Sequence, residues 1–337
     1  MPELDQQRVG EPSRRVLVAG PNLAIDRTLA TNELRPGHDV EVAEVTVTAG
    51  GKGVNVARAA GALGLDTTLL GLLPGHMGDA AAGLLAEERI RLLGLPVTGE
   101  LRSALIIHER DGRATVLNEP GPELSEAEWL AYEAMAGEAL GEHAVVVCIG
   151  SLPPGAPDGA YARIVAMARE RGRPSVVDAG GSVLLRALDA APDIVCPNLA
   201  EAEAVLFGST SEAVDAPADA RERAVAAARA LVRGGARTAV VTAASAGAAF
   251  AGAGAGAGGR QVHWVAAPRV GVANPMGAGD AFAAGLAVAI ARELPPAEAA
   301  RFAVAVASAS VEHPRAGCLD AFRAEALIRA VRVEPAV

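Results

Sequence analysis

The residues best able to do chemistry stand near the C-terminus, in "NPMGAGDAFAAGLAVAIAREL" (Asn274–Leu294). Gly277, Ala278 and Gly279 precede Asp280, and an apolar helix is expected to begin there. Glycines allow a tight backbone whose N–H groups converge on one pocket, an anion hole for phosphate oxygens as charge shifts during transfer. A carboxylate beside such a hole can face an incoming hydroxyl, orient it and take its proton. Phosphoryl transfer needs these two parts side by side. The same residues have a plainer reading, since an acid in the first turn of a helix also caps it.

A second stretch, "AGGKGVNVARAAGALG" (Ala49–Gly64), sets Gly50 and Gly51 before Lys52 at the mouth of an apolar helix. Lys52 is the only lysine in a chain with 30 Lys+Arg. Coding bias toward arginine would leave such a residue by chance. The physical reading is that lysine is a compact point charge and arginine a broad planar fork, so a glycine-walled slot admits only the first. Successive glycines and a helix N-terminus also read as an anion site. In a third stretch, "CPNLAEAE" (Cys196–Glu203), Asn198 ends a strand and Glu201 follows on the first helical turn. Two oxygens at that spacing can hold a hydrated Mg²⁺. Taken alone, the spacing favours a capping box, with Asn198 as N-cap and Glu201 at N3.

These residues need a frame. "RVLVAG", "AVVVCIGS", "PSVVDAG", "DIVCPN" and "RTAVVTA" read as short buried strands, and Ala-rich helices lie between them, one of them near Ala160–Arg171. That alternation predicts an α/β fold with a Rossmann-like, mostly parallel sheet flanked by helices. Ligands bind such sheets at the carboxyl ends of the strands, which marks Asp26, Ser151, Asp178 and Asn198. "DVEVAEVTVT" (Asp39–Thr48) alternates apolar and polar residues, and Ser103–Ser125 holds a hairpin turning at Asp111-Gly112. These half-exposed strands predict a small sheet apart from the main core. The Gly/Ala tract Ala251–Gly259 is expected to be a loop tip, and residues 1–14 a frayed tail before a single domain over 15–337.

Composition narrows the class. Hydrophobic residues make up 51% and aromatics 3% of 337 residues, so the core is built from Ala, Val and Leu. A net charge of −10 disfavours nucleic acid and anionic membrane as partners. Cys148, Cys196 and Cys318 form neither a disulfide framework nor a zinc set, and no His-ligated metal is expected. The N-terminus lacks an apolar h-region and the longest apolar run, Ala281–Ala291, is too short to span a bilayer, so the cytoplasm is the expected compartment.

In this order, "PNLAID", "GGKGVNVARAAGALG", "NEPGPELS", "GSLPPG", "DAGG", "PNLAEAE" and "GAGDAFAAG" resemble the ribokinase-like carbohydrate kinases. They are most like the phosphofructokinase-B-type branch that holds 1-phosphofructokinases and tagatose-6-phosphate kinases. The resemblance runs from about Val16 to about Ala324, and the P-loop pattern G-x-x-x-x-G-K-[ST] is absent. It implies an ATP- and Mg²⁺-dependent kinase whose small sheet is a lid, with lid strands from about 27–48 and 97–120. Asp280 matches the catalytic base, and Gly277, Ala278 and Gly279 match the anion hole. Asp26, Gly50, Gly51, Asn55, Asn118 and Ser151 match the sugar site, and Lys52 and Arg102 match groups that meet a sugar phosphate. Asn198, Glu201, Thr242 and Gly247 match the nucleotide side, with Glu201 near Mg²⁺ through water. Whether a monovalent cation also binds is left open.

The chain departs from the family pattern in places. Ala104 stands where an Asn is frequent, and His38, Asp39 and Glu41 stand where Arg or Lys is frequent. Thr242-Ala243-Ala244 alters the floor of the nucleotide site, and Cys196, Ala200 and Met276 are also unusual. These changes bear on the substrate. The expected acceptor is a ketohexose phosphate (fructose 1-phosphate, fructose 6-phosphate or tagatose 6-phosphate). The alternatives are an unphosphorylated sugar or nucleoside, and a non-catalytic sugar-phosphate sensor. A lid with one apolar face predicts a homodimer in which two lids pack together.

Overall fold

Short buried strands alternating with small-residue helices build a sheet covered on both faces, and the computed structural model has that arrangement. It describes residues 15–208, 218–252 and 262–336. The first third of the chain runs β1 (Val16–Ala19), β2 (Ala24–Thr31), β3 (Glu44–Gly50), α1 (Lys52–Ala62), β4 (Thr67–Pro74), α2 (Gly75–Glu87), β5 (Arg91–Val97), β6 (Ser103–Glu109) and β7 (Ala114–Asn118). The middle runs α3 (Glu126–Ala139), β8 (Val145–Ile149), α4 (Ala160–Glu170), β9 (Ser175–Asp178), α5 (Gly181–Asp189), β10 (Ile194–Val195) and α6 (Leu199–Phe207). The last part runs α7 (Ala220–Arg233), β11 (Thr238–Thr242), β12 (Gly247–Gly252), β13 (Val262–Ala266), α8 (Ala278–Ala291), α9 (Pro296–Ser310), α10 (Ala321–Ile328) and β14 (Arg332–Pro335).

The described strands form two sheets. The larger has the order β14-β13-β12-β11-β10-β9-β8-β1-β4-β5. It is parallel from β11 to β5, and β12, β13 and β14 extend it antiparallel. Period-two alternation feeds both of its faces. Val16 and Val18 of β1 enter the core shared with α1, α8 and α9, while Leu17 and Ala19 enter the core shared with α3, α4 and α7. With few large side chains available, close approach replaces bulk. A Cβ on Gly285 of α8 would lie 2.8 Å from the Ala303 Cα of α9, so only glycine lets these helices pack this tightly.

The smaller sheet has the order β3-β2-β6-β7 and stands apart, as the half-exposed strands predict. The pair β2–β6 is parallel, and β2–β3 and β6–β7 are antiparallel. The hairpin between β6 and β7 turns at Asp111-Gly112, where Gly112 holds a φ of 91°. One boundary differs from expectation. Alternation predicts a strand from Asp39, yet β3 begins at Glu44 because pairing with β2 ends at Ala30. Asp39 and Glu41 therefore lie in an exposed connection. Residues 1–14 and the tract beyond Gly252 lie outside the described residues. No described helix is long and apolar enough to cross a membrane.

Candidate active site

β1 occupies the middle of the large sheet, with β4 on one side and β8 on the other. The chain reverses its winding here, and the carboxyl ends of the strands open a crevice beside it. Gly20 leaves β1 close against α1, where a Cβ would come within 2.8 Å of the Gly53 Cα. Gly51, at a φ of 101°, turns the chain into α1. These glycines seat the start of α1 directly over the strand ends.

α8 starts at Gly277, which holds a left-handed φ of 81°. No side chain caps this helix, and the first N–H groups of a helix have no partner within it. Ala278 N–H leans on Pro275 O at 3.4 Å. Asp280 lies buried in the first turn. The plainer reading, in which it caps the helix, is not what its side chain does. The carboxylate reaches across to α1, where Asn55 Nδ2 donates to Asp280 Oδ2 at 2.8 Å.

Four ionisable groups surround this point. Lys52 Nζ lies 3.7 Å from Asp178 Oδ2, at the end of β9, and 3.6 Å from Glu201 Oε1, in the first turn of α6. Burial pushes the Asp280 carboxyl above the ordinary range; Lys52 and the Asn55 bond oppose this, while Glu201 and Asp26 add to it. Burial likewise pushes Asp178 up to about 7 against the pull of Lys52. The same neighbours, Asp178 first, raise Lys52, so it stays an ammonium. Lys52 was expected to face a substrate anion. In the structure it is paired with two carboxylates, so an anion there would share it with Asp178 and Glu201.

Asn198 and Glu201 form the capping box that their spacing favours. Glu201 N–H donates to Asn198 Oδ1 at 2.8 Å, and Asn198 N–H donates to Glu201 Oε2 at 3.0 Å. Asn198 Oδ1 is therefore spent on the helix, while Glu201 Oε1 stays turned toward Lys52. Asn198 also bridges to Thr242 at the end of β11. Gly247, at a φ of 130°, opens β12 beneath Val265 O and touches none of the ionisable cluster. Among the described residues, no group of three or more His, Cys, Asp or Glu could hold a metal.

The small sheet brings a further set. Sheet register aligns Thr48, Asp26, Ala104 and Asn118 across β3, β2, β6 and β7 on one face. Ala104, where the family frequently has Asn, lies between Asp26 and Asn118. Burial raises the Asp26 carboxyl, and Arg58, Arg102 and Arg315 draw it back down. A Cβ on Gly50 would overlap the Asp26 carboxylate, so a larger residue here has to displace that side chain. Arg102 donates to Asn22 O at 3.2 Å, and its Nε is buried without a protein partner. Ser151 accepts from Asn22 Nδ2 at 2.9 Å.

Sequence reasoning marks Asp178 only as a strand end, and passes over Asn22, Arg58 and Arg315. An arginine in the middle of a helix that, besides Lys52 and Asn55, is made of Ala, Val and Gly is the signal that singles out Arg58. Cys148 and Cys196 are buried, and burial drives both thiols up, away from reactivity.

Residues 14–321 match the family described as pfkB family carbohydrate kinase. The chain belongs to this family. The chain is 30% identical to the 1-phosphofructokinase of Bacillus subtilis over 261 residues, 77% of this chain and 80% of that protein. Among solved structures, phosphofructokinase-2 from Escherichia coli in complex with substrates and products superposes with a TM-score of 0.79 at 25% identity, over 94% of this chain and 99% of that one. Ribokinase from Arabidopsis thaliana, complexed with ribose and ATP, shares the fold with a TM-score of 0.70 at 21% identity, over 93% of this chain and 98% of that one. The chain is thus a carbohydrate kinase with a ribokinase-like fold.

Proposed function

We propose that the protein transfers the γ-phosphoryl group of ATP to a hydroxyl of a ketohexose phosphate. Fructose 1-phosphate leads, with fructose 6-phosphate and tagatose 6-phosphate next. The observation that carries the reaction is the geometry at Asp280. A buried carboxylate with a raised pKa has one oxygen held by Asn55 and lies beside an uncapped helix start. The other oxygen is left to accept the proton of an acceptor hydroxyl. The N–H groups of Gly277, Ala278 and Gly279 serve as the anion hole, Gly279 most directly because Ala278 also leans on Pro275.

The phosphorylated acceptor rests on Arg102. Its buried Nε lacks a protein partner, and a sugar phosphate on the Asp26 face would supply one. Asp26 and Asn118 are suited to sugar hydroxyls on the same face, with Gly50, Gly51, Asn55 and Ser151 around them. ATP falls to the side of Asn198, Thr242 and Gly247. Glu201, through water and beside Asp178, fits Mg²⁺, which commonly takes only one or two carboxylates and keeps its waters. Bound with the nucleotide, Mg²⁺ supplies charge that offsets the phosphates during transfer.

The acidic connection with Asp39 and Glu41 favours a second reading, an unphosphorylated sugar or nucleoside as acceptor. A panel separates the two: ADP release with Mg-ATP and fructose 1-phosphate, fructose 6-phosphate, tagatose 6-phosphate, fructose, ribose or adenosine. Turnover on phosphorylated ketoses alone supports the first reading. Turnover only on free sugars or nucleosides replaces the acceptor and keeps the kinase. Asp280→Asn should lower turnover on the order of 10²-fold or more; unchanged turnover would remove the base, and sugar-phosphate binding without turnover on any acceptor would favour the sensor reading.

The small sheet acts in this reading as a lid and as a homodimer contact. Its face away from Asp26 carries Val45, Val47 and Leu117, exposed at 44%, 41% and 56%. An apolar face of this kind on a sheet covers a partner.

A further inference from the structure

We infer that Arg58 is a positioning residue for the transfer step, acting on Asp280 through the side-chain amide of Asn55. This inference rests on the reading of Asp280 as the base.

Arg58 lies one turn beyond Asn55 on α1, and its side chain is 6% exposed. A guanidinium there needs several acceptors, and three are present. Its Nε and Nη2 donate to the two Glu88 carboxylate oxygens at 2.6 and 2.8 Å. Nη2 also donates to Ala49 O at 2.6 Å, and Nη1 donates to Asn55 Oδ1 at 3.2 Å. Glu88 is held in turn by Arg315, from the loop before α10.

The chemistry of these groups fixes the direction of the chain. A guanidinium only donates, so the amide edge that Asn55 turns to Arg58 must be its carbonyl oxygen. The NH₂ group must then face the other way, toward Asp280 Oδ2 at 2.8 Å. Flipping the amide would bring donor against donor at Arg58 and oxygen against oxygen at Asp280. Arg58 thus selects the one Asn55 orientation that holds Oδ2 and leaves Oδ1 for an acceptor hydroxyl. A base misplaced by about 1 Å can cost on the order of 10²-fold in rate.

The groups facing Asp280 are Asn55 and Lys52 from α1, Asp178 from β9, Glu201 from α6, and Asp26 from β2. Among the described hydrogen bonds, Arg58 reaches the base through Asn55, and it also acts at longer range on the Asp26 carboxyl. This separates the role from that of a core ion pair, which would influence stability alone.

The test is a double-mutant cycle on kcat with Arg58→Gln and Asn55→Ala, run with the acceptor found most active and with folding checked by urea denaturation. Alone, Arg58→Gln should lower kcat roughly 10- to 100-fold and move the acid limb of the kcat profile to higher pH, because the bond that holds Asp280 ionised is weakened. In the Asn55→Ala background the same change should alter kcat by less than about threefold. Equal factors in both backgrounds, or an unmoved kcat and acid limb, would overturn the role. Should Arg58→Gln fail to fold, Arg58→Lys carries the same test. An ammonium keeps the charge opposite Glu88 but lacks the planar fork whose separate nitrogens reach Glu88, Ala49 and Asn55. If Asp280→Asn kept its turnover, the base itself would be lost. If Asp280→Asn were inactive and Arg58→Gln unaffected, only the role of Arg58 would fall.

Discussion

Lys52 and Asp178 face each other at 3.7 Å, one at the start of α1 and the other at the end of β9. Each holds the other's charge. Asp178 is buried, and its carboxyl is nonetheless raised to about 7, so the pairing only partly offsets burial. A carboxyl whose folded pKa exceeds its unfolded value, about 3.9, binds more protons when folded. Its contribution to stability therefore falls as pH rises through that window. Lys52→Met removes the opposing charge and pushes the upper edge of the window higher. The loss of thermal stability between pH 6 and pH 8 should be larger in Lys52→Met than in the parent protein. Scanning fluorimetry at the two pH values checks this, and equal losses would contradict it.

Asp280 gives a second pH effect, on activity. Its carboxyl is raised, first by burial, and only the ionised form accepts a proton. kcat should fall as pH drops through the raised value, with an acid limb above the ordinary carboxylate range of about 3.9. A profile flat down to pH 4 would argue against this base.

Arg102 should control the acceptor's KM. Hydrogen bonds to a charged group are worth about 1.5–3 kcal/mol. Arg102→Ala should thus raise KM for a phosphorylated ketose roughly 10- to 100-fold, with a smaller change in kcat. Initial-rate kinetics on a phosphorylated and a free sugar would show whether the effect follows the phosphate.

At Gly50 the expected cause is steric. A Cβ there overlaps the Asp26 carboxylate, so Gly50→Ala must displace Asp26 from the sugar face. Acceptor KM should rise at least about tenfold while the KM for ATP stays within about twofold. Equal rises in both would place the damage elsewhere.

Leu117, Val45 and Val47 share the outer face of the small sheet. Leu117→Glu should place a charge in the lid contact and convert a dimer into a monomer. Light scattering at micromolar concentration measures the change. A parent protein already monomeric would remove the dimer.

Much of this was legible in the residues, for physical reasons. Buried strands and small-residue helices have distinct periods, so the two sheets and the start of α8 follow from pattern. The Asn198–Glu201 box is local, and its spacing alone favours the cap that forms. Strand β3 is the counterexample. Alternation extends back to Asp39, but a strand needs a partner and β2 offers none beyond Ala30. The position of Lys52 was not legible either. Its glycines read as a phosphate slot, while the carboxylates that surround it come from β9 and α6, more than a hundred residues along the chain. Arg58 belongs to no chemical motif in the sequence, because its partners Glu88 and Ala49 are brought to it, with Asn55, only by the fold.

The Asn55–Asp280 bond spans 225 positions of sequence, and α1 packs against α8. A ribosome adding about 5–20 residues per second takes roughly 10–45 s to make that length of chain. Through that interval the nascent polypeptide already holds the glycine-walled entrance of α1 but not the base. With Asp280 as the base, the entrance of α1 waits for the group that would orient an attacking hydroxyl until a further 225 residues have been added.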